Sequence, residues 1–370
     1  MEDGAVLEPD MTAYRMLHQL NAEWPCLSFD IIPDTFGNER RTFPHTLSIV
    51  AGSQADNPEA NKLYFMTVSN LSESIHDSDE EEDVDVDEPV LEVVEVPHSG
   101  GVNRVRTGND LTASWSDSGA VNIWNHSKLE SAGKQKRRRL NLNPEFIIRN
   151  HKEEGYALDW SLNRLLSGSN CSTICLTVPN QSSFSTTLLT GHSGSVEDIQ
   201  WSPNQENIFT SCSSDQTIKV WDIRAGKVMA SVKAHDCDVN VISWNSNSAN
   251  LLASGADDGS FATWDLRSFQ NNNPQSAADY SWHRSPITSI EWNPVETSVL
   301  AASSDEQISI WDFALERDEK DPQADSIPPQ LIFVHQGQEM IKEVHWHKQI
   351  PGVVLSTAYS GFNFFKTINT

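Results

Sequence analysis

Positive charge is what this sequence has least of. It carries 26 Lys and Arg against 52 Asp and Glu, a formal charge of −26. That deficit argues against direct nucleic-acid binding and against an anionic membrane surface, and it favours basic proteins as partners. No apolar run approaches the ~18 residues of a membrane-spanning helix, and the opening MEDGAVLEPD has no apolar stretch to serve as a signal peptide. Cysteine is sparse and odd in number: Cys26, Cys171, Cys175, Cys212 and Cys237. Only CSTIC (171–175) brings two together, with no second Cys/His pair at zinc spacing, so we expect reduced thiols in a cytosolic or nuclear protein. Nucleophile elbows, Walker loops and dinucleotide fingerprints are missing too. Carboxylates are too abundant for any pair to signal acid–base chemistry. We expect no enzyme and no cofactor.

What the chain does have is a repeat. GHSGSVEDIQWSPNQENIFTSCSSDQTIKVWDIR (191–224), AHDCDVNVISWNSNSANLLASGADDGSFATWDLR (234–267) and HRSPITSIEWNPVETSVLAASSDEQISIWDFA (283–314) align in one register. His192 to Asp215 and His235 to Asp258 span 23 positions, and His283 to Asp305 spans 22. The step from that Asp to Trp221, Trp264 or Trp311 is six each time. Weaker copies end at Trp124, keep Trp160 with Asn170 in place of the Asp, or keep Trp346 and close on Phe. A seventh unit fits WPCLSFDII, HTLSIVAGS, NKLYFMTVS and PVLEVVEV as four unmarked strands.

Each unit alternates apolar and polar residues as strands do. One four-stranded sheet cannot bury both its faces, so the units must stack radially about an axis. Their spacing and their Gly-His and Trp-Asp marks resemble the WD-repeat β-propellers. That resemblance implies that His192, Asp215, Trp221 and their counterparts hold blades together. The expected fold is all-β, a seven-bladed propeller over 24–370 with an N-terminal α-helix over 1–23. The helix is read from PDMTAYRMLHQLNAEWP, where Asp10 can cap, Ala13, Leu17 and Leu20 share a face, and Pro25 terminates. The last unit has only three strands, and this helix, or else strand residues near Leu27, should cover its open edge. His345 and His347 share a strand face, but no third metal ligand is evident.

Three loops carry charge. Between Lys62 and Arg104 there is no cation against twelve acids, and nine lie in one run: Asp77, Asp79, Glu80, Glu81, Glu82, Asp83, Asp85, Asp87 and Glu88, in a loop over 72–88. Without those nine the charge is still −17, so the acidity belongs to the whole body. A basic run with Lys134, Lys136, Arg137, Arg138 and Arg139 stands in a loop over 126–142 and reads as a nuclear-localisation signal or a solvated loop. A loop over 315–330 holds Glu316, Asp318, Glu319, Asp321 and Asp325 before Pro328 and Pro329.

The N-terminal segment, EWP at 23–25 and the Pro-Pro loop together resemble the histone-binding WD-repeat chaperones related to the retinoblastoma-binding proteins. That resemblance implies a groove in which a basic helix lies, floored by Tyr14, Leu17 and His18 and walled by Glu319, Asp321, Asp325, Pro328 and Pro329. GYALDWS, GHSGSVEDIQWSP, HDCDVNVISW, FVHQG and STAYSGFNFFKTI, with the acidic run, are similar over nearly the whole chain to the glutamate-rich WD-repeat, ribosome-assembly regulator family. That resemblance implies a nuclear and nucleolar chaperone, shuttling through the cytoplasm, for a basic large-subunit ribosomal protein of the L-three type on its way to pre-60S assembly factors. The competing binding surface is the propeller rim, at Glu154, Glu197, Asp238 and Glu343. WDIR and WDLR match the box by which WD-repeat receptors engage the cullin-four ligase adaptor, through Arg224 and Arg267, unless these arginines only bond within their blades. Histones and that adaptor are therefore alternative partners.

Overall fold

A computed structural model of the chain describes residues 10–74, 87–130, 136–181, 183–271, 274–316 and 327–370. Its strands form seven antiparallel sheets about one axis. Blade 1 holds Cys26–Ile32, His45–Ser53, Lys62–Leu71 and Val90–Pro97, and blade 2 holds Val102–Thr107, Leu111–Ser116, Val121–Asn125 and Phe146–Ile148. Blade 3 is Ala157–Ser161, Arg164–Gly168, Thr173–Pro179 and Phe184–Thr190, and blade 4 is Val196–Trp201, Ile208–Ser213, Thr217–Asp222 and Lys227–Lys233. Blade 5 runs through Val239–Trp244, Leu251–Ala256, Ser260–Asp265 and Ala278–Ser281. Blade 6 runs through Ile287–Trp292, Val299–Ser304, Gln307–Asp312 and Leu331–Gln336.

Blade 7 takes Glu343–Trp346, Val353–Ala358 and Gly361–Thr367 from the C-terminal part and a fourth strand, Tyr14–Leu20, from the N-terminal part. The expected helix is therefore replaced by a closing strand. Only a three-residue 3-10 turn, Met11–Ala13, precedes it among the described residues, capped by Asp10, which accepts the Thr12 N–H at 3.0 Å. The reason lies in burial: Tyr14 and Met16 are buried while Arg15 between them is exposed, a period of two. Pairing with Gly361–Thr367 satisfies an edge that a short helix would leave open. Closure near Leu27 does not occur either, because Leu27 lies in the first strand of blade 1.

Seven apolar clusters fill the seven interfaces between blades. First strands contact one another in a closed ring, so they line the axis. Side chains on these strands accept main-chain N–H groups from the next blade: Asp30 from Thr107 (2.6 Å), Asp159 from Trp201 (2.6 Å), Asp198 from Ile242 (3.1 Å), Glu291 from Trp346 (2.9 Å) and Glu343 from Phe29 (2.7 Å). The indoles of Trp160, Trp201, Trp292 and Trp346, each near the end of a first strand, donate to a carbonyl of the preceding blade. Apolar burial supplies most of the attraction, and these directional bonds fix the angular register.

Candidate functional site

The repeated histidines do structural work inside blades. His192 contacts Ser211 Oγ at 2.7 Å and Asp215 Oδ2 at 2.9 Å, and Trp221 Nε1 donates to the same Ser211 at 2.8 Å. Burial would raise the Asp215 carboxyl, but hydrogen bonds from Thr217, Ser193 and His192 outweigh it and hold the group well below the usual carboxylate range. Blade 5 repeats the His235–Ser254–Trp264 part. Blade 6 departs from the pattern: His283 bonds Ser304 and Ser309, while Asp305 turns away to the Lys342 ammonium of blade 7 at 3.0 Å.

The two histidines of the HWH stretch are also engaged. Burial would lower the His345 imidazole, but the Glu291 and Glu343 carboxylates push it up to about 9. His347 Nδ1 accepts the Gln349 and Ile350 N–H groups at 3.1 Å. No group of three or more His, Cys, Asp or Glu among the described residues is arranged to hold a metal.

Because each blade is an antiparallel meander, connections alternate between two ends of the axis. Turns from second to third strands, and links into the next blade, lie at what we term the upper end. The acidic, basic and Pro-Pro loops each join a third strand to a fourth, so all three are rooted at the lower end. The upper turns are one-sided in charge: Asp56, Glu59, Asp117, Asp215, Asp257, Asp258, Asp305 and Glu306 lie there, with no lysine or arginine in any of the seven.

The rim residues separate on inspection. Glu154 is half-buried and accepts from Asn103 Nδ2 at 2.7 Å. Asp238 is exposed. The Glu197 carboxyl is raised by burial, to which the nearby Asp238 adds. Glu343 is no rim residue: it is fully buried, and burial's cost is overcome by Arg106 and Arg104, which hold it well below the usual range. Arg104 donates to it at 2.6 Å and Arg106 at 2.8 Å. Below it the axial cavity, about 160 Å³, is lined by Asp30, Asp159, Asp198, Glu291, His345 and Lys348 among others. Burial lifts the Asp159 carboxyl to about 7 there, against the lowering effect of the Trp201 N–H.

The expected groove is not built as the histone-chaperone resemblance implies. Tyr14 is core, with its hydroxyl 2.7 Å from His335 Nδ1 and its ring edge-on to Phe333 and Phe365. Leu17 packs against the same cluster, and His18 bonds the Ser72 carbonyl at 3.0 Å. Pro328 and Pro329 are half-buried, whereas Glu319, Asp321 and Asp325 lie outside the described residues. So do Asp77, Asp79, Glu80, Glu81, Glu82, Asp83, Asp85 and Lys134; Asp87 and Glu88 are described and exposed.

The basic run is only partly a loop. Arg137, Arg138 and Arg139 form a fifth strand, parallel to Val93–Glu95 on the outer edge of blade 1. Arg137 ion-pairs with both Glu95 and Glu23, and Lys136 is exposed. Sequence reasoning missed this pairing, though RRR opposite an acid-flanked VVE strand is a charge match. Arg224 and Arg267 each bond within their blades, to Asp222 at 2.6 Å and to Asp265 at 2.5 Å, while staying mostly exposed.

Comparison with known proteins agrees with this architecture. A family model described as that of the histone-binding protein RBBP4, a component of the CAF1 complex, matches residues 4–72, and "WD domain, G-beta repeat" matches 183–222, 226–265 and 275–312. The chain is 44% identical over 393 residues to "Ribosome assembly protein rrb1" of Schizosaccharomyces pombe, covering 98% of this chain and 82% of the relative. It is 46% identical over 404 residues to "Glutamate-rich WD repeat-containing protein 1" of Dictyostelium discoideum, covering 100% and 83%. It is 43% identical over 422 residues to "Protein HEAT STRESS TOLERANT DWD 1" of Arabidopsis thaliana, covering 100% and 90%. With such identity along whole propellers, the chain belongs to the WD-repeat family of these ribosome-assembly and glutamate-rich proteins.

Proposed function

We propose that this chain is a non-catalytic chaperone of ribosome assembly, which binds a newly made basic ribosomal protein of the L-three type and delivers it to nucleolar pre-60S assembly. The observation that carries the reading is the upper end, with eight carboxylates and no lysine or arginine in its seven turns. A free ribosomal protein exposes Lys and Arg meant for RNA phosphates and would bind any polyanion. Carboxylates on a rigid ring occupy those side chains until assembly. Screening limits each charge to about 8 Å at physiological salt, and an exposed pair contributes only ~0–1 kcal/mol. Affinity therefore needs many contacts or a packed anchor, and the acidic run adds steering. Residence in the nucleus and nucleolus, with passage through the cytoplasm, and use of the basic run as a nuclear signal belong to the same proposal.

A histone client is favoured by the match of residues 4–72 to the histone-binding family model. Against it stands the strand, rather than a helix, at Tyr14–Leu20. The ligase-adaptor alternative rests on Arg224 and Arg267, which remain exposed for a partner. The test is to purify the protein from cells and identify its stoichiometric partner. Recovery of the ribosomal protein supports the reading; core histones without any ribosomal protein overturn it.

A further inference from the structure

Five first strands carry a register shift at the same place. The pairing skips Leu27 in blade 1, Asn103 in blade 2, Glu197 in blade 4, Asn240 in blade 5 and Thr288 in blade 6. A bulge leaves one residue unpaired and re-aims its side chain. In blades 3 and 7 the residues just before the first strands, Tyr156 and Lys342, occupy the equivalent position. All seven line a single pocket of about 290 Å³ at the upper mouth of the axial channel, one side chain from each blade.

Within this ring only Glu197 is a carboxylate, and no cation lies within ion-pair distance of it among the described residues. The two nearby cations are committed elsewhere. Arg104 donates to Glu343 and to the Tyr156 carbonyl, and Lys342 pairs with Asp305. On either side of Glu197 in blade order stand Tyr156 and Asn240. The Asn240 amide nitrogen is directed to Asp257 and the Ile287 carbonyl, which leaves its Oδ1 as an acceptor. Asn103, by contrast, uses both ends of its amide, toward Gln54 and Glu154. Leu27, Pro286 and Ile287 give the pocket an apolar wall.

A carboxylate, an amide oxygen and an aromatic ring beside apolar surface match a guanidinium, which is planar, weakly hydrated and rich in donors in one plane. An ammonium is a compact, strongly hydrated point charge that gains less from such a site. We propose that the upper mouth of the channel is a socket for one arginine side chain of the basic client, held by Glu197 with Tyr156 and Asn240 beside it. This rests on the chaperone reading above for the identity of the client, but not for the chemistry of the pocket.

The test compares fluorescent octa-arginine and octa-lysine peptides of equal charge by anisotropy, and in parallel the recombinant L-three ribosomal protein. Octa-arginine should bind about tenfold more tightly than octa-lysine, a difference of ~1.4 kcal/mol. Glu197→Gln should erase that preference at an unchanged melting temperature. Asp56→Asn and Glu306→Gln, exposed acids at the same end, should weaken both peptides alike. Equal binding of the two peptides to the unaltered protein, or loss in Glu197→Gln no larger than in Asp56→Asn, overturns the socket and leaves only a diffuse field. Equal binding of the ribosomal protein to both the unaltered protein and Glu197→Gln also overturns it as a client site. If the ribosomal protein does not bind at all while the arginine preference holds and depends on Glu197, the client reading fails and the socket stands.

Discussion

The Glu343 carboxylate in blade 7 accepts the main-chain N–H of Phe29 in blade 1 at 2.7 Å. Its other oxygen takes Arg104 and Arg106, both on blade 2, so one buried side chain joins three blades across the seam where the ring closes. Glu343→Ala should therefore destabilise the fold by ~3–5 kcal/mol, because it strands two half-buried guanidiniums and a buried N–H. Chemical denaturation measures this directly. A loss under ~1 kcal/mol would mean that the apolar clusters close the ring unaided.

The histidine networks predict an inequality between two aspartates at the same repeat position. Asp215→Ala removes the partner of His192, Ser193 and Thr217 and should cost ~1–3 kcal/mol. Asp305→Ala breaks only a partly exposed pair with Lys342 and should cost less than ~1 kcal/mol. Trp221→Ala, at a site 1% exposed, should cost ~3–5 kcal/mol. Melting curves of the three variants give the order, and client affinity per folded molecule should not move in any of them.

Stability should fall on both sides of neutrality. Burial depresses His151, His283 and His335 from 6.5 to about 4. As pH drops, the unfolded chain takes up these protons first, so their contribution is whole above 6.5 and lost toward pH 4, at up to ~3 kcal/mol each. His345 runs the other way: held up near 9 by Glu291 and Glu343, it stabilises fully below 6.5, and that part is lost as pH rises through 9. Denaturant midpoints at pH 4.5, 7 and 9.5 should trace a dome, and His151→Gln should flatten its acid side.

Deletion of residues 77–88 should slow association with the basic client and reduce its salt dependence, leaving dissociation nearly unchanged, because exposed acids steer more than they hold. Stopped-flow rates at two ionic strengths decide it. An unchanged salt slope would remove this run from the mechanism.

Much of the architecture was legible because it repeats. Fixed His-to-Asp and Asp-to-Trp steps are properties of one polypeptide unit seen several times, and they located the blades through the Trp124, Trp160 and Trp346 copies as well. What failed was the one strand that does not repeat. Tyr14–Leu20 has apolar residues at helical as well as strand spacing, and only its partner, Gly361–Thr367, nearly the whole chain away, decides between them. The mouth residues were readable in principle: Tyr156, Glu197, Asn240, Thr288 and Lys342 each stand four positions before the tryptophan of a first strand. Glu343 misled because an acid next to that position looks like rim until the neighbouring blade's arginines are in view. The RRR strand was hidden because a basic run signals solvent or transport, and its acidic partners, Glu95 and Glu23, are remote in sequence.

Tyr14 sits opposite Thr367 in the last blade. During synthesis, the segment that completes the ring is therefore made first and can take its place only after nearly everything else has emerged. Contacts of such long sequence separation are the slowest to form. Until they do, Gly361–Thr367 offers an unpaired edge, and the core side of Met16 is uncovered, the kind of surface on which chains aggregate. A protein whose task is to keep others from premature contact passes through the same hazard itself, and crowding or heat during its own production is when it should be most exposed to loss.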